Sequence, residues 1–424
     1  MKTVKTAGIS LVLFGAAAAA YGSGFGLYQP STVSHAMGGA LVGKAMDASA
    51  NFNNPATLTD LTNMQFTVGF VTEHPRGRVE TSRNGMPAIR STMDSGMFVL
   101  PHFQLAIPLP ADFSFGFGFE PDYGLGTSYD DFWPMNFSAT ETKIQSIVLN
   151  PNLAYKVTDD WSIAAGARFL YFEFEQYSRP IVPSPTVPPV KIGRFGTRLR
   201  GDNDMKDVGW QVGTKYDVTD TFSVGAVYKS WIQTHVDGKI ETCVLEEPAP
   251  GALAPYARPR NGRAHADITM PQSVAVGCNW DVLPTWHLGS MVSWTQWSEY
   301  DNLHFELAGG DTRTRLSWRD TWRGSVGSCW DFAEDWKWMV SYTYDMDSTT
   351  SEQASVMLPP ADRHILGTGF AWNCWGGLEL ALSYACIFMD GGDMTMYDSL
   401  GNRWQLKTCW GFCHAAGFSI TYRF

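Results

Sequence analysis

Gly417-Phe418-Ser419-Ile420-Thr421-Tyr422-Arg423-Phe424 closes the chain. Successive side chains of an extended strand point to opposite faces, so Phe418, Ile420, Tyr422 and Phe424 share one face and Ser419, Thr421 and Arg423 the other. An apolar face suits lipid, and the opposite face suits the polar lumen of a membrane barrel. An amphipathic strand of a soluble sandwich shows the same alternation, so the other end of the chain has to discriminate.

At that end Lys2 and Lys5 precede an apolar stretch from Ala7 to Ala20 and a small-residue site at Ala20-Tyr21-Gly22. This reads as a secretory signal peptide over residues 1–22, with Ser23 as the new N-terminus. The apolar stretch is too short for a spanning helix, and no longer one follows. Yet the chain is 44% hydrophobic and 14% aromatic, with 17% charged residues. An exported chain of that composition without a spanning helix points to a closed β-barrel, since only helices and barrels satisfy every backbone group in lipid.

The formal net charge of −11, which becomes −13 without Lys2 and Lys5, argues against nucleic acid as a partner. Seven cysteines fall mostly inside expected strands, where the thiol acts as a small hydrophobe. They show no C-x-x-C spacing, and neither a metal nor a cofactor is expected. The histidines sit in no H-E-x-x-H, and no serine lies in G-x-S-x-G, so the chain is not read as an enzyme.

From Met64 onward alternating segments recur, and very short turns (110–112, 158–160, 219–221, 283–285, 332–335 and 375–377) interleave with longer connections. Short periplasmic turns and long outer loops are how bacterial outer-membrane barrels are built, and seven hairpins give about fourteen strands. The long connections are expected at 75–96, 124–142, 176–204, 234–264, 308–312, 347–360 and 390–403. Trp161, Trp210, Trp286, Trp294, Trp297, Trp336 and Trp338 are expected in aromatic girdles at the bilayer interfaces. Residues 23–63 lack strand alternation, with helical stretches expected around Ser34 to Lys44 and after Pro55, behind an Asn54 cap. They are read as an N-terminal hatch plugging a barrel of residues 64–424.

The chain resembles the FadL family of outer-membrane transporters for long-chain fatty acids and other hydrophobic compounds. The resemblance runs from Ser23-Gly24-Phe25 through Asn54-Pro55-Ala56, which marks the family's hatch, and Asn150-Pro151-Asn152. It continues at Trp294-Thr295-Gln296-Trp297, Trp318-Arg319-Asp320-Thr321-Trp322-Arg323, Tyr342-Thr343-Tyr344-Asp345 and Asp362-Arg363, to Phe424. It implies an all-β transmembrane barrel with a partly helical hatch, in the bacterial outer membrane amid lipid and lipopolysaccharide, acting as a monomer. It further implies passive capture of a hydrophobic molecule by outer loops, transfer to a hatch-adjacent site, and lateral exit at a kink of the third strand. Long-chain fatty acids are the first expectation and aromatic hydrocarbons the alternative. A general porin, an adhesin or an outer-membrane hydrolase are the readings from other classes.

Candidate residues follow. Gly116, Gly118 and Pro121 suit a kinked strand and a lateral opening, since glycine weakens the pleat and proline removes a donor; the two glycines equally suit room for the hatch. Tyr123, Leu125, Phe132, Trp133, Met135 and Phe137 read either as an exposed capture surface or as a lid packed on its neighbours. Phe25, Lys44 and Arg168 are the candidates for an inner ligand site, and Arg168, Lys229 and Lys44 are the inward cations considered for a carboxylate. Glu173 and Glu175, on the strand that carries Arg168, favour neutral ligands instead.

Overall fold

Every wall strand has to find two hydrogen-bonded neighbours in the membrane, and the chain meets this by closing on itself. The computed structural model describes residues 24–28, 30–254, 261–300, 302–307, 312–315, 318–349 and 356–424. The expected signal peptide lies outside the described residues.

Fourteen antiparallel wall strands form one closed sheet. They are β1 (Gln65–Arg83), β2 (Ile89–Asp94 and Phe98–Pro108), β3 (Phe113–Glu120 and Gly124–Ser128), β4 (Glu141–Leu149 and Asn152–Lys156) and β5 (Trp161–Ser178). Next come β6 (Lys191–Asp202 and Asp207–Thr219), β7 (Phe222–Lys229 and Ile232–Glu246), β8 (Gly262–Met270 and Ser273–Leu283) and β9 (Trp286–Thr295 and Asn302–Leu307). The last are β10 (Thr312–Arg315 and Thr321–Ala333), β11 (Trp336–Asp345), β12 (Arg363–Trp375), β13 (Leu378–Met389) and β14 (Arg403–Arg423). The C-terminal strand closes the barrel against β1, with Gln65 opposite Arg423 and Val68 opposite Ile420.

All six expected short turns fall between strands. The expected loop at 75–96 is corrected: β1 continues to Arg83 and pairs with β2, Arg76 opposite Asp94 and Thr81 opposite Ile89. Two strands that rise together beyond the bilayer keep bonding each other, and cross-strand charge such as Arg90 Nε to Glu80 Oε1 at 2.7 Å supports them. Val68, Phe70, Trp210, Val292 and Leu382 face outward and exposed, as a lipid-facing wall requires.

The segment before β1 lies inside the barrel. Helix α1 (Thr32–Ala36) is capped by Ser31, whose side chain accepts from Ser34 N at 3.0 Å. The expected continuation to Lys44 fails because Gly38 and Gly39 take positive φ, 63° and 77°, which ends a helix. After α2 (Ala50–Asn53), Asn54 opens a 3-10 turn over Pro55–Asp60. The wall offers glycine where this segment touches it. A Cβ on Gly225 would lie 2.1 Å from Val42 O, and one on Gly289 2.1 Å from Ala40 O.

Candidate functional site

Strand β3 is where the wall departs from regularity. Its first half pairs with β2 from Pro108 opposite Ser114 to Phe103 opposite Phe119. Beyond that rung the ladder stops, and the two strands meet again only at an isolated bridge, Met93 to Tyr129. Counting outward from Phe103 and Phe119 reaches Met93 and Tyr129 in step, so the strands have split locally without slipping register. In that register Pro101 faces Pro121, and neither has an N–H to offer.

The free edge of β3 has taken another partner. Leu27 N donates to Asp122 O at 2.8 Å, Gly124 N donates to Phe25 O at 2.8 Å, and Gly26 bridges Tyr123. The N-terminal segment thus occupies the place β2 vacates. Leu27, Leu100 and Phe98 pack together at the split, and the Phe98 ring lies where a Cβ on Gly126 would be, 2.5 Å from its Cζ.

Of the three residues expected at a lateral opening, Pro121 lies at the split. Gly116 and Gly118 belong to the paired half: Gly116 makes room for Asn51 of the hatch, whose Oδ1 would meet an added Cβ at 2.1 Å, and Gly118 for Gln104. The kink needs a missing donor, which glycine does not supply.

Inside, Phe25 sits in an aromatic nest. Its ring centroid lies 4.8 Å from Trp297, 5.1 Å from Tyr300, 5.8 Å from Trp318 and 5.9 Å from Tyr123, all edge-on. The nest is the base of a continuous apolar cluster reaching the outer loops through Leu125, Tyr129, Trp133, Met135, Met394 and Trp404. The exposed capture surface is corrected here. Tyr123, Leu125, Trp133 and Met135 are buried and Phe137 half-buried, and Phe132 alone of the six is exposed, at 83%. Trp133 stacks on Tyr129 at 4.0 Å and ties its indole to Ala139 O at 2.8 Å, so the connection folds inward as a lid.

The three inner candidates separate. Phe25 and Arg168 approach one corner, where Arg168, 1% exposed, bonds Asp122 in an ion pair and gives Nη1 to Ser230 O at 3.3 Å. Glu120, buried in the same corner, accepts from Gln104 Nε2 at 2.6 Å, and Lys229 Nζ lies 3.2 Å above the Phe52 ring. Lys44 lies elsewhere, paired with Asp281 near the periplasmic turn that leads to β9. Of the three expected cations, Arg168 and Lys44 therefore already have carboxylate partners in the protein, and Lys229 lies against the Phe52 ring.

Asn54, Pro55 and Ala56 tie the N-terminal segment to the wall. Asn54 accepts from Ala56 N at 3.1 Å, and its Nδ2 donates to Val42 O at 2.8 Å and to Thr214 O of β6 at 2.9 Å. Pro55 sits where the first N–H of a helical turn is dispensable. Ala56 is fully buried beside Ala154 and Ala164 of the wall. Around it a carboxamide network continues, Asn152 Nδ2 to Asn51 Oδ1 at 2.8 Å and Gln211 Nε2 to Asn152 Oδ1 at 2.9 Å.

The family described as outer membrane protein transport protein (OMPP1/FadL/TodX) matches residues 13–424. The chain belongs to this family. It is 24% identical to the long-chain fatty acid transport protein of Escherichia coli O6:H1, over 92% of this chain and 94% of that one. Outer membrane protein P1 of Haemophilus influenzae is 22% identical, over 91% and 90%. Among solved structures, a FadL homologue of Pseudomonas aeruginosa superposes with a TM-score of 0.79 at 20% identity, covering 94% of this chain and 99% of its own. The toluene transporter TodX of Pseudomonas putida gives 0.69 at 16% identity, covering 95% and 99%. This FadL-family protein is accordingly an outer-membrane transport barrel for hydrophobic compounds and not an enzyme.

Several residues that build the site in this FadL-family chain escaped the sequence reading. Trp297, expected in an interfacial girdle, is fully buried against Phe25. Its phase was the available signal: it lies three residues from Trp294, so the two cannot share a strand face. Asp122 carries no local motif that separates it from loop charges, and Arg323, although it ends the stretch from Trp318 that carries the family resemblance, was not singled out as inward-facing.

Proposed function

We propose that this protein takes up long-chain fatty acids passively. The ligand enters through the outer apolar cluster formed with Tyr123, Leu125, Trp133, Met135 and Phe137. It then comes to rest against the hatch at Phe25, and leaves sideways between β2 and β3. The observation that carries the reading is the split ladder: a stretch of wall where β2 and β3 do not bond each other, packed by Leu27, Phe98 and Leu100, adjoins the aromatic nest directly. A greasy ligand taking that route moves between apolar surroundings throughout and never enters water. The hatch of residues 23–63 closes the axial path, which separates this reading from a general porin.

In the same proposal the barrel works as a monomer within lipopolysaccharide. Arg78, stacked 5.6 Å from the Trp410 ring, offers an outward cation beside an interfacial aromatic. Aromatic hydrocarbons remain the second reading, because pairing of Arg168 with Asp122 and of Lys44 with Asp281 leaves those cations nothing to offer a carboxylate.

The test is uptake of labelled oleate and labelled toluene by cells lacking their own transporter, with the protein intact or with Asn54, Pro55 and Ala56 replaced. Uptake of oleate dependent on the motif supports the proposal, and uptake of toluene alone selects the second reading. Entry of small hydrophilic solutes through the intact protein, with neither ligand taken up, would overturn both.

A further inference from the structure

Three inward charges stand side by side on consecutive wall strands beneath the nest. Arg323 of β10, Asp345 of β11 and Arg363 of β12 are cross-strand neighbours in register. Their exposures are 5%, 0% and 5%. Asp345 Oδ2 lies 3.5 Å from Arg363 Nε and stands opposite Arg323 across the strands, so the row of two guanidiniums and one carboxylate carries one net positive charge. The corner at Arg168 differs, where Glu120 and Asp122 balance Arg168 and Lys229.

Arg363 has an identifiable duty, giving Nη2 to Gly24 O at 3.4 Å. Arg323 is used less fully. Its Nη2 reaches Gly38 O at 3.4 Å and its guanidinium lies 3.9 Å over the Tyr28 ring. Its Nε and Nη1 have no hydrogen-bond partner among the described residues. The indole N–H groups of Trp297 and Trp318 are likewise buried and without a partner there. Buried donors normally find an acceptor, and an unmet guanidinium edge is a strong departure.

We propose that Arg323 is the carboxylate subsite of this transporter. The Nε and Nη1 edge takes the two carboxylate oxygens as a fork, and the acyl chain lies along the nest of Trp297, Tyr300 and Trp318. An acid with an apolar chain meets both the open guanidinium edge and the aromatic nest, whereas a neutral aromatic ring leaves the guanidinium unmet. The inference rests on the uptake reading above and names the group that selects its acid substrate.

Purified protein in detergent is titrated with oleate and with methyl oleate, followed by quenching of tryptophan fluorescence. The wild type binds oleate about ten- to a hundredfold more tightly than the ester, the scale of a charged hydrogen bond. Arg323→Gln abolishes that preference, bringing the affinity for oleate to that for the ester. Arg323→Lys, which retains the charge and loses the fork, restores part of it, and Trp297→Phe, which alters the surface the acyl chain lies on, lowers binding of oleate and ester alike. Heat-modifiable migration of each variant reports a folded barrel.

A preference for oleate that survives Arg323→Gln in a folded barrel overturns the subsite. Equal affinity of the wild type for oleate and ester also overturns it, while the uptake of hydrophobic molecules stands. Failure to bind either probe overturns the uptake reading and the subsite together. If Arg323→Gln does not fold, Arg323→Lys decides: a full wild-type oleate-to-ester ratio in that variant counts against the subsite.

Discussion

Asp122 matters because of what it keeps company with. Arg168 is 1% exposed and its carboxylate partner is supplied by the kinked strand itself. Removing one member of a buried ion pair leaves an uncompensated charge, which typically costs about 3–5 kcal/mol. Asp122→Asn should therefore lower barrel stability by that order, read as the midpoint of urea unfolding in lipid vesicles. Asp122→Leu with Arg168→Met should recover most of it, because both charges are gone. Asn54 acts by hydrogen bonding alone: Asn54→Ala removes one acceptor to Ala56 N and two donations to carbonyls. At about 1 kcal/mol for each such bond, the hatch should loosen by roughly 2–3 kcal/mol, seen as faster hydrogen exchange at residues 54–60 with the wall unaffected. Equal acceleration in β1 and β14 would show that the motif stabilises the barrel and not the plug.

The hatch is an element held by close approach. Its backbone passes Gly289 at Ala40 O and Gly225 at Val42 O, within 2.1 Å of where a Cβ would stand. Gly289→Ala should push the plug off the wall and raise the conductance of the protein in a planar bilayer. Gly324→Ala on neighbouring β10, where a Cβ meets nothing within 4 Å, should leave conductance unchanged. The same element carries a pH response through His35, buried at the hatch with Nδ1 2.9 Å from Ser383 Oγ. Burial, and after it the Arg323 charge, lowers its pKa to about 4. Its unfolded value is about 6.5, so docking favours the neutral imidazole and weakens as pH falls through the window between the two, by about 2 kcal/mol at pH 5. Protection factors of residues 32–36, taken relative to the intrinsic exchange rate at each pH, should fall between pH 7.5 and pH 5, and His35→Gln should flatten that fall.

At the scale of the molecule, much was legible because membrane geometry leaves few choices. Period-two alternation and short turns suffice for a barrel, and every expected turn lies between strands. What stayed hidden depends on contacts distant in sequence. Asp122 looks like a loop acid until Arg168, 46 residues away, comes up beside it, and Trp297 looks interfacial until its strand has broken at Gln296. Gly116 and Gly118 drew attention to β3, but their missing side chains serve Asn51 and Gln104. The split follows from two prolines on different strands, a pairing that exists only once the register is known.

That pairing yields a test of the whole transport route. Pro101 and Pro121 face each other where the ladder between β2 and β3 ends, and each withholds a donor. Pro101→Val with Pro121→Val returns both N–H groups to strands already in register, since Met93 still meets Tyr129 beyond the split. The restored ladder should zip outward and compete with the N-terminal segment for the β3 edge at Asp122 O and Gly124 N, to which Leu27 and Phe25 now bond. Two recovered bonds, worth about 1 kcal/mol each, would make the closed wall roughly tenfold more populated or more. Uptake should fall by a similar factor in cells, while oleate binding to the purified protein is unchanged, because the nest lies inside the split and not in it. If uptake survives and binding falls, the ligand leaves by another path, and the prolines serve only to seat the N-terminus beside Phe25.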